Sequence, residues 1–283
     1  MRSVASALPW RGIAQDVAVT GVKRKVAFVL AASDQGTLIV NRLDYRMIDD
    51  TRGYGVGFQI LDTASFDREE VGVAVSLLRL RRHYFGNGVF AVDCGANIGV
   101  HTVEWARQMT GWGSVLAIEA QERIFYALAG NIAINNCFNA RAIHVAVGGQ
   151  DGTMRIPDPD YLRPASFGSL ELKRKDTNED IGQKIDYSDE NLSEIRCVTV
   201  DSLRLSRLDF LKIDVEGMEE EVLAGAKQTI ISHRPMLLVE WIKSPKEQLQ
   251  KWFEDLGYNV FEFGINLLAV HDSDRCLTHI QKK

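Results

Sequence analysis

The chain has 283 residues, 46% of them hydrophobic, and a formal net charge of −5, which fits one large globular domain or one domain with an extension. The acidic balance argues against a nucleic-acid binder that works by neutralising phosphates. Four well-separated cysteines argue against a zinc ribbon or a disulfide framework, and no apolar run reaches the roughly 18 residues that span a bilayer, so we expect a cytoplasmic protein.

The first 87 residues are predicted to form an N-terminal extension with short strands and a helix. Apolar runs at 37–40 and 58–61 predict short strands, with a glycine-rich loop between them. Helical spacing of apolar residues predicts a helix over 68–85, and its basic run at 79–83 is expected to face solvent near the helix C-terminus.

From 88 to 283 the pattern alternates between strands and helices, and one of the predicted helices covers 217–231. Such alternation implies right-handed crossovers and a mostly parallel sheet with helices on both faces. A polar, loop-rich stretch at 157–194 interrupts the pattern, and we interpret it as an insertion. The last two apolar runs, 259–263 and 266–270, are expected to pair antiparallel.

The most informative segment is the sequence VFAVDCGANIGVHT at 89–102. Its pattern predicts a buried strand, a tight turn and a helix N-terminus, which together bring backbone N–H groups up to a ligand. A dinucleotide-binding turn needs a glycine where this chain has Asn97, and the carboxylate of Asp93 before the turn would repel a pyrophosphate. S-adenosylmethionine suits this turn better, because it carries an ammonium group and no phosphate.

Four of the predicted strands end in a carboxylate. These residues are Asp93, Glu119, Asp214 and Glu240. In open α/β sheets, ligands bind beyond the carboxyl ends of the strands. We therefore expect the four side chains to converge on one edge of the sheet and to serve a ligand site there.

Three motifs of the chain resemble the FkbM family of S-adenosylmethionine-dependent methyltransferases. They are VDCGANIG at 92–99, KIDVEGME at 212–219 and VLAGA at 222–226, and the resemblance covers roughly 88–270. It implies a class I methyltransferase domain over 88–283, with a Rossmann-like, mostly parallel sheet of seven strands and helices on both faces. The activity it implies is methylation of a hydroxyl on a sugar, glycan or natural-product scaffold.

The cofactor site that follows has S-adenosylmethionine lying along the sheet edge. Gly95 and Gly99 would let the backbone approach its methionine end, Asp93 would lie near the ammonium group, and Glu119 would accept both ribose hydroxyls. Ala120 stands where the family commonly has a proline. The candidate cofactor-binding residues are Asp93, Gly95, Asn97, Gly99, Glu119, Ala120, Ala146, Val147 and Asp214. Of these, Ala146 and Val147 are expected to line the adenine pocket.

The candidate catalytic residues are Asp214, Glu216, Glu240 and His101. Methyl transfer from a sulfonium is an in-line displacement, in which positioning does much of the work, but a hydroxyl acceptor also needs a base. Asp214 and Glu216 together are also a weak signal for a divalent metal, and we expect no metal.

Two other classes of function stay open from the sequence: a nicotinamide-dependent oxidoreductase, and a methyltransferase-like domain that only binds. The expected partner is a small-molecule or glycan acceptor and not a nucleic acid. Because the sheet edge has to be covered, we expect the N-terminal extension and the insertion at 157–194 to select this acceptor.

Overall fold

The computed structural model of the chain describes residues 25–50 and 52–280, so the first part of the predicted extension lies outside the described residues. The strands are β1 (Phe28–Ser33), β2 (Gly36–Asn41), β3 (Arg46–Met47), β4 (Gly53–Tyr54), β5 (Val89–Cys94), β6 (Gly113–Glu119), β7 (Ala140–His144), β8 (Ala146–Val147), β9 (Gly152–Pro157), β10 (Leu192–Val198), β11 (Phe210–Ile213), β12 (Met236–Glu240), β13 (Tyr258–Phe263) and β14 (Asn266–His271). The α-helices are α1 (Val56–Thr63), α2 (Arg68–Phe85), α3 (Val100–Gln108), α4 (Glu122–Ile134), α5 (Glu219–Gly225), α6 (Lys227–His233) and α7 (Lys246–Asp255).

The centre of the fold is a seven-stranded sheet with the order β13-β14-β12-β11-β5-β6-β7. Strands β12, β11, β5, β6 and β7 run parallel, and β14 is antiparallel to both of its neighbours. This topology confirms the predicted α/β class and the predicted terminal antiparallel pair. The order reverses at β5, and in sheets of this kind the ligand binds beside such a point.

Each face of the sheet is covered by its own layer of apolar side chains. On one face, Val71 and Leu78 of α2 pack with Trp105 of α3 and Leu38 of β2. On the other face, the buried side chains of α5, α6 and α7 include Val222, Ile230 and Phe253. Strand residues alternate between the two layers, and burial on both sides explains why these strands are apolar throughout. No helix within the described residues is long and apolar enough to cross a membrane.

Two element predictions were wrong. The run 58–61 belongs to α1 and not to a strand: Val56 and Ile60, one helical turn apart, are buried, while Leu61 is exposed. The helix predicted over 217–231 is divided into α5 and α6. The Asp201 carboxylate accepts hydrogen bonds from the backbone N–H groups of residues 228 and 229. The first N–H groups of a helix have no partner within the helix, so this contact caps a new helix that begins at Lys227.

The prediction that the basic run of α2 faces solvent was wrong for one of its members. Arg81 is buried, and its Nη2 lies 3.1 Å from Oδ1 of Asp209. It also pairs with Asp274, and both aspartates are almost completely buried. This network ties α2 to the sheet and to the C-terminal segment. The other basic residues of the run are exposed, as predicted.

The predicted insertion covers one edge of the central sheet. Strands β8, β10 and β9 form a separate three-stranded sheet, and a long loop connects β9 to β10. The N-terminal extension holds this loop: Asn41 Nδ2 donates to the backbone oxygen of Tyr161 at 3.0 Å, and Oδ1 of the buried Asp44 accepts from the backbone N–H of Phe167 at 2.9 Å. Extension and loop therefore pack against each other.

Candidate active site

The four strand-end carboxylates line a single cavity of about 340 Å³ at the carboxyl edge of the sheet. Asp93 ends the apolar part of β5, Glu119 ends β6, Asp214 follows β11 and Glu240 ends β12. Their convergence was expected from the sequence, and the structure confirms it. The volume lies in the range of small-molecule and cofactor sites.

The turn after β5 has the backbone conformation that its sequence predicts. Gly95 has φ = 78°, and a Cβ atom at this position would lie 1.7 Å from the backbone oxygen of Asp214, so only glycine fits. Asn97 also has a positive φ and lines the cavity. Gly99 does not line it. A Cβ atom on Gly99 would instead lie 2.5 Å from a side-chain carbon of Leu128, so this glycine lets α3 pack closely on α4.

The carboxylate of Asp93 has one oxygen that is available to a ligand. The residue is 1% exposed, and Oδ2 accepts a hydrogen bond of 2.6 Å from the hydroxyl of Thr102. Its other oxygen, Oδ1, is buried without a hydrogen-bond partner among the described residues. A buried carboxylate oxygen is costly to leave unpaired, and a ligand ammonium group would satisfy it. The residue thus fits the methionine end of S-adenosylmethionine.

Glu119 accepts hydrogen bonds from two backbone N–H groups. Its Oε2 accepts from the N–H of Asn97 at 2.9 Å and its Oε1 from the N–H of Gln121 at 2.7 Å. Burial raises the pKa of this carboxyl group to about 7, against the lowering effect of these bonds. Each oxygen keeps capacity for one further donor, so the side chain can accept two ribose hydroxyls.

The third strand region is divided between two environments. The chain leaves β7 at His144 and enters β8, so Val145 and Val147 line the cavity as an apolar wall. Ala146 points the other way and packs with Ile156 of the small sheet. Of the two residues predicted for the adenine pocket, the structure therefore brings Val147 to the cavity and not Ala146. Ala120 lines the cavity.

Three of the predicted catalytic residues form a cluster. Carboxylate oxygens of Asp214, Glu216 and Glu240, here called the acid cluster, lie within 4.8 Å of one another. Burial, and next the charge of Asp214, raise the pKa values of Glu216 and Glu240 well above the usual range. Both groups therefore bind a proton more readily than an ordinary glutamate does. The cluster is compact enough to share a cation.

Two lysines already bring positive charge to the acid cluster. Lys212, in the middle of β11, is buried, and its Nζ lies 2.8 Å from Oδ2 of Asp214. Lys243 Nζ lies 2.6 Å from a carboxylate oxygen of Glu216, and it also donates to the backbone oxygen of Ser169 at 2.8 Å. Lys243 therefore links the acid cluster to the loop between β9 and β10.

His101 occupies the first turn of α3, where the sequence predicts it, and it lines the cavity. The side chain is 6% exposed, and its Nε2 lies 3.2 Å from Oε1 of Glu70 on α2. Its Nδ1 is buried without a partner among the described residues. The ring also meets that of Trp105 edge-on, with 5.4 Å between the ring centres.

Sequence reasoning missed several residues of this site. The missed cavity-lining residues include Tyr54, Glu70, Gln121, Ser166, Leu170 and Lys212. Lys212 could have been recognised from the sequence, because a lysine inside the apolar run of β11 needs a buried partner. Glu70 left none, since acidic residues are common in the first turn of any helix.

Comparison with known proteins places this site in a family. The model of the methyltransferase FkbM domain matches residues 93–262. Methyltransferase sdnD from Sordaria araneosa is 29% identical over 192 residues, which are 60% of this chain and 74% of that protein. Methyltransferase 1 from Beauveria bassiana (strain ARSEF 2860) is 27% identical over 151 residues, 50% of this chain and 59% of the other.

Among solved structures, methyltransferase FkbM from Methylobacillus flagellatus KT aligns with a TM-score of 0.46 and 17% identity. The alignment covers 68% of this chain and 48% of that one, so the present chain spans about half of the solved protein. The family match extends over more than half of the chain and includes Asp93, Glu119, Asp214 and Glu240. It decides against the nicotinamide-dependent oxidoreductase: the chain belongs to the FkbM family of S-adenosylmethionine-dependent methyltransferases.

Proposed function

We propose that the protein transfers a methyl group from S-adenosylmethionine to a hydroxyl of a sugar, a glycan or a natural-product small molecule. The observation that carries this proposal is the convergence of four strand-end carboxylates on one cavity. A domain that only binds would have no need of carboxylates beyond those that hold the cofactor.

The residues that would hold the cofactor follow the cavity wall. Asp93 offers Oδ1, which has no hydrogen-bond partner in the described part of the chain, to the ammonium group. Glu119 accepts the ribose hydroxyls, and Val145 and Val147 give an apolar wall for the adenine ring. When bound, S-adenosylmethionine supplies an electrophilic methyl group. The contribution of the chain is to orient the two reactants and to keep water away from them.

The charge of the cavity bears on the acceptor. Among the described residues, seven carboxyl groups line it, against one lysine, Lys212, which is paired with Asp214. The ionised members of this wall would repel a phosphorylated or carboxylated acceptor, and the wall offers a nucleic acid little positive charge. Carboxyl groups form strong hydrogen bonds with neutral hydroxyls, which supports a polyol-like acceptor.

Part of the cavity wall is built from the N-terminal extension and from the predicted insertion. Tyr54, Gln59 and Phe66 belong to the extension, and Leu170 and Leu172 to the insertion. These segments support the proposal that chain outside the shared core selects the acceptor. The apolar residues of these two segments suit an acceptor scaffold that has hydrophobic parts next to the hydroxyl.

A cytoplasmic location belongs to the same proposal. All four cysteines are buried thiols without a disulfide bond. This state is the usual one in a reducing compartment.

The test is an incubation of the purified protein with S-adenosylmethionine carrying a labelled methyl group and a panel of acceptors. The panel contains alkyl and aryl glycosides, hydroxylated polyketides, primary amines and carboxylic acids. Mass spectrometry that finds label on oxygen of a glycoside or hydroxylated scaffold supports the proposal. Label only on amines or carboxylates, with an active enzyme, contradicts it.

A further inference from the structure

One contact joins the N-terminal extension to the cofactor turn. Glu70, in the first turn of α2, lies outside the segment that matches the family model. Its Oε1 is 3.2 Å from Nε2 of His101, and its Oε2 accepts a hydrogen bond of 2.8 Å from Nδ2 of Asn266 on β14. Both oxygens of Glu70 are therefore used, and three separate parts of the chain fix the position of the histidine.

The charge state of Glu70 follows from this environment. Burial by itself raises its pKa, but the hydrogen bond from His101, the charge of this ring when it is protonated, the charge of Lys212 and the bond from Asn266 lower it below its usual range. The carboxylate is ionised at any working pH. The other charged groups that face this pair are Asp67, at the start of α2, and Lys212 on β11.

The contact with Glu70 also decides which ring nitrogen carries the proton. Since Nε2 faces an ionised carboxylate, Nε2 bears the hydrogen in the neutral ring, and Nδ1 then keeps its lone pair. Nδ1 is buried and has no partner among the described residues, in a ring that lines the cavity. The edge of Trp105 packs against the same ring and restricts its rotation.

The competing bases are less suited to the task. Glu216 is paired with Lys243, Asp214 is paired with Lys212, and burial raises the pKa of Glu240. His101 is oriented by a carboxylate through Nε2, and its Nδ1 has no partner among the described residues, which is the geometry that general-base catalysis needs.

We propose that Glu70 is a positioning residue that holds His101 so that Nδ1 takes the proton of the acceptor hydroxyl. The proposal rests on the function proposed above. As the new bond forms between the hydroxyl oxygen and the methyl carbon, the carbon–sulfur bond breaks and its electron pair stays on sulfur. The hydroxyl proton moves to Nδ1, and Glu70 stabilises the resulting imidazolium through Nε2–H.

The decisive variant is Glu70→Gln, which keeps the size of the side chain and removes its charge. Glu69→Gln is the matched control, because Glu69 is adjacent on α2 and exposed. We expect Glu70→Gln to lower kcat roughly tenfold or more, and His101→Gln to lower it by about 10²–10⁴-fold, the usual loss of a general base. In Glu70→Gln and His101→Gln the dissociation constant for S-adenosylmethionine should stay within a factor of about two of the wild-type value.

Two further readouts separate positioning from a merely structural role. The acid limb of the kcat–pH profile should move to lower pH by about one unit in Glu70→Gln, because the imidazolium loses its counter-charge. Glu70→Asp, which keeps the charge, should leave the acid limb near its wild-type position. If Glu70→Gln does not fold, the aspartate variant and His101→Gln still decide the question.

A titration of His101 by NMR in the full chain makes the test independent of any acceptor. The pKa of His101 should fall in Glu70→Gln and not in Glu69→Gln. An unchanged titration, or a Glu70→Gln enzyme with wild-type kcat and pH profile, overturns the proposal. A wild-type protein that shows the expected titration but methylates no hydroxyl acceptor overturns the proposed function and leaves the pairing intact.

Discussion

Removal of the Glu119 side chain is the most direct test of the cofactor site. Glu119→Ala deletes a carboxylate that can accept two charge-assisted hydrogen bonds from ribose, which together contribute about 1–3 kcal/mol to binding. At about 1.4 kcal/mol per factor of ten, the dissociation constant for S-adenosylmethionine should rise by about 5- to 140-fold.

The same substitution has a structural cost that has to be separated from the binding effect. The backbone N–H groups of Asn97 and Gln121 donate to this carboxylate at 2.9 and 2.7 Å and would lose their acceptor. A buried donor left unsatisfied costs about 1–3 kcal/mol, so the free energy of unfolding should also fall. Glu119→Gln, which keeps an amide oxygen as acceptor, should fold better than the alanine variant and still bind less tightly than the wild type.

Isothermal titration calorimetry at pH 8 is the appropriate assay, because the pKa of Glu119 is raised to about 7 and the carboxylate is then ionised. The matched control is Glu122→Gln, an exposed glutamate in the first turn of α4. Its dissociation constant should equal that of the wild type. Absence of binding by the wild type, or equal affinity in a folded Glu119→Ala variant, would refute the reasoning.

Three further predictions concern pH, stability and metal. Because S-adenosylmethionine needs the ionised form of Glu119, the affinity of the protein for it should be constant above about pH 8. Well below pH 7 the free protein binds a proton at Glu119, and the affinity should fall about tenfold per pH unit. A flat profile from about pH 5.5 to 8.5 contradicts this. Arg81→Met should lower the free energy of unfolding by about 3–5 kcal/mol in urea denaturation, since the buried Asp274 loses its cation and the buried Asp209 keeps only Arg207. The exposed Arg79→Met should change little, and equal stabilities would show that the network contributes nothing. Turnover should be unaffected by EDTA, because two lysines already supply positive charge to the acid cluster, and a loss that magnesium restores would establish a metal site there.

The local parts of the site could be predicted from the sequence. Asp93 and Glu119 stand at the ends of apolar runs, and the alternation of strands and helices forces such strands to lie parallel. Side chains at the carboxyl ends of parallel strands meet at one edge, whatever the details of packing. The turn at Gly95 is equally local, because its positive φ and the close approach of Asp214 require glycine.

Contacts between distant parts of the chain could not be predicted in this way. Glu70 and Asn266 meet although 196 positions separate them, and Arg81 reaches Asp274 across 193 positions. In the sequence each of these residues resembles an ordinary polar surface residue.

The sequence by itself determined the class of fold, the order of its elements and the edge on which the ligand binds, because these depend on periodicity and on turn chemistry. Only the tertiary structure decided that 58–61 is helical, that Ala146 turns away from the cavity and that Glu70 supports His101. It also decided that Asp214, Glu216 and Glu240 lie together in the acid cluster. The physical reason is that burial, charge proximity and side-chain direction depend on which segments pack together, and no local pattern records that.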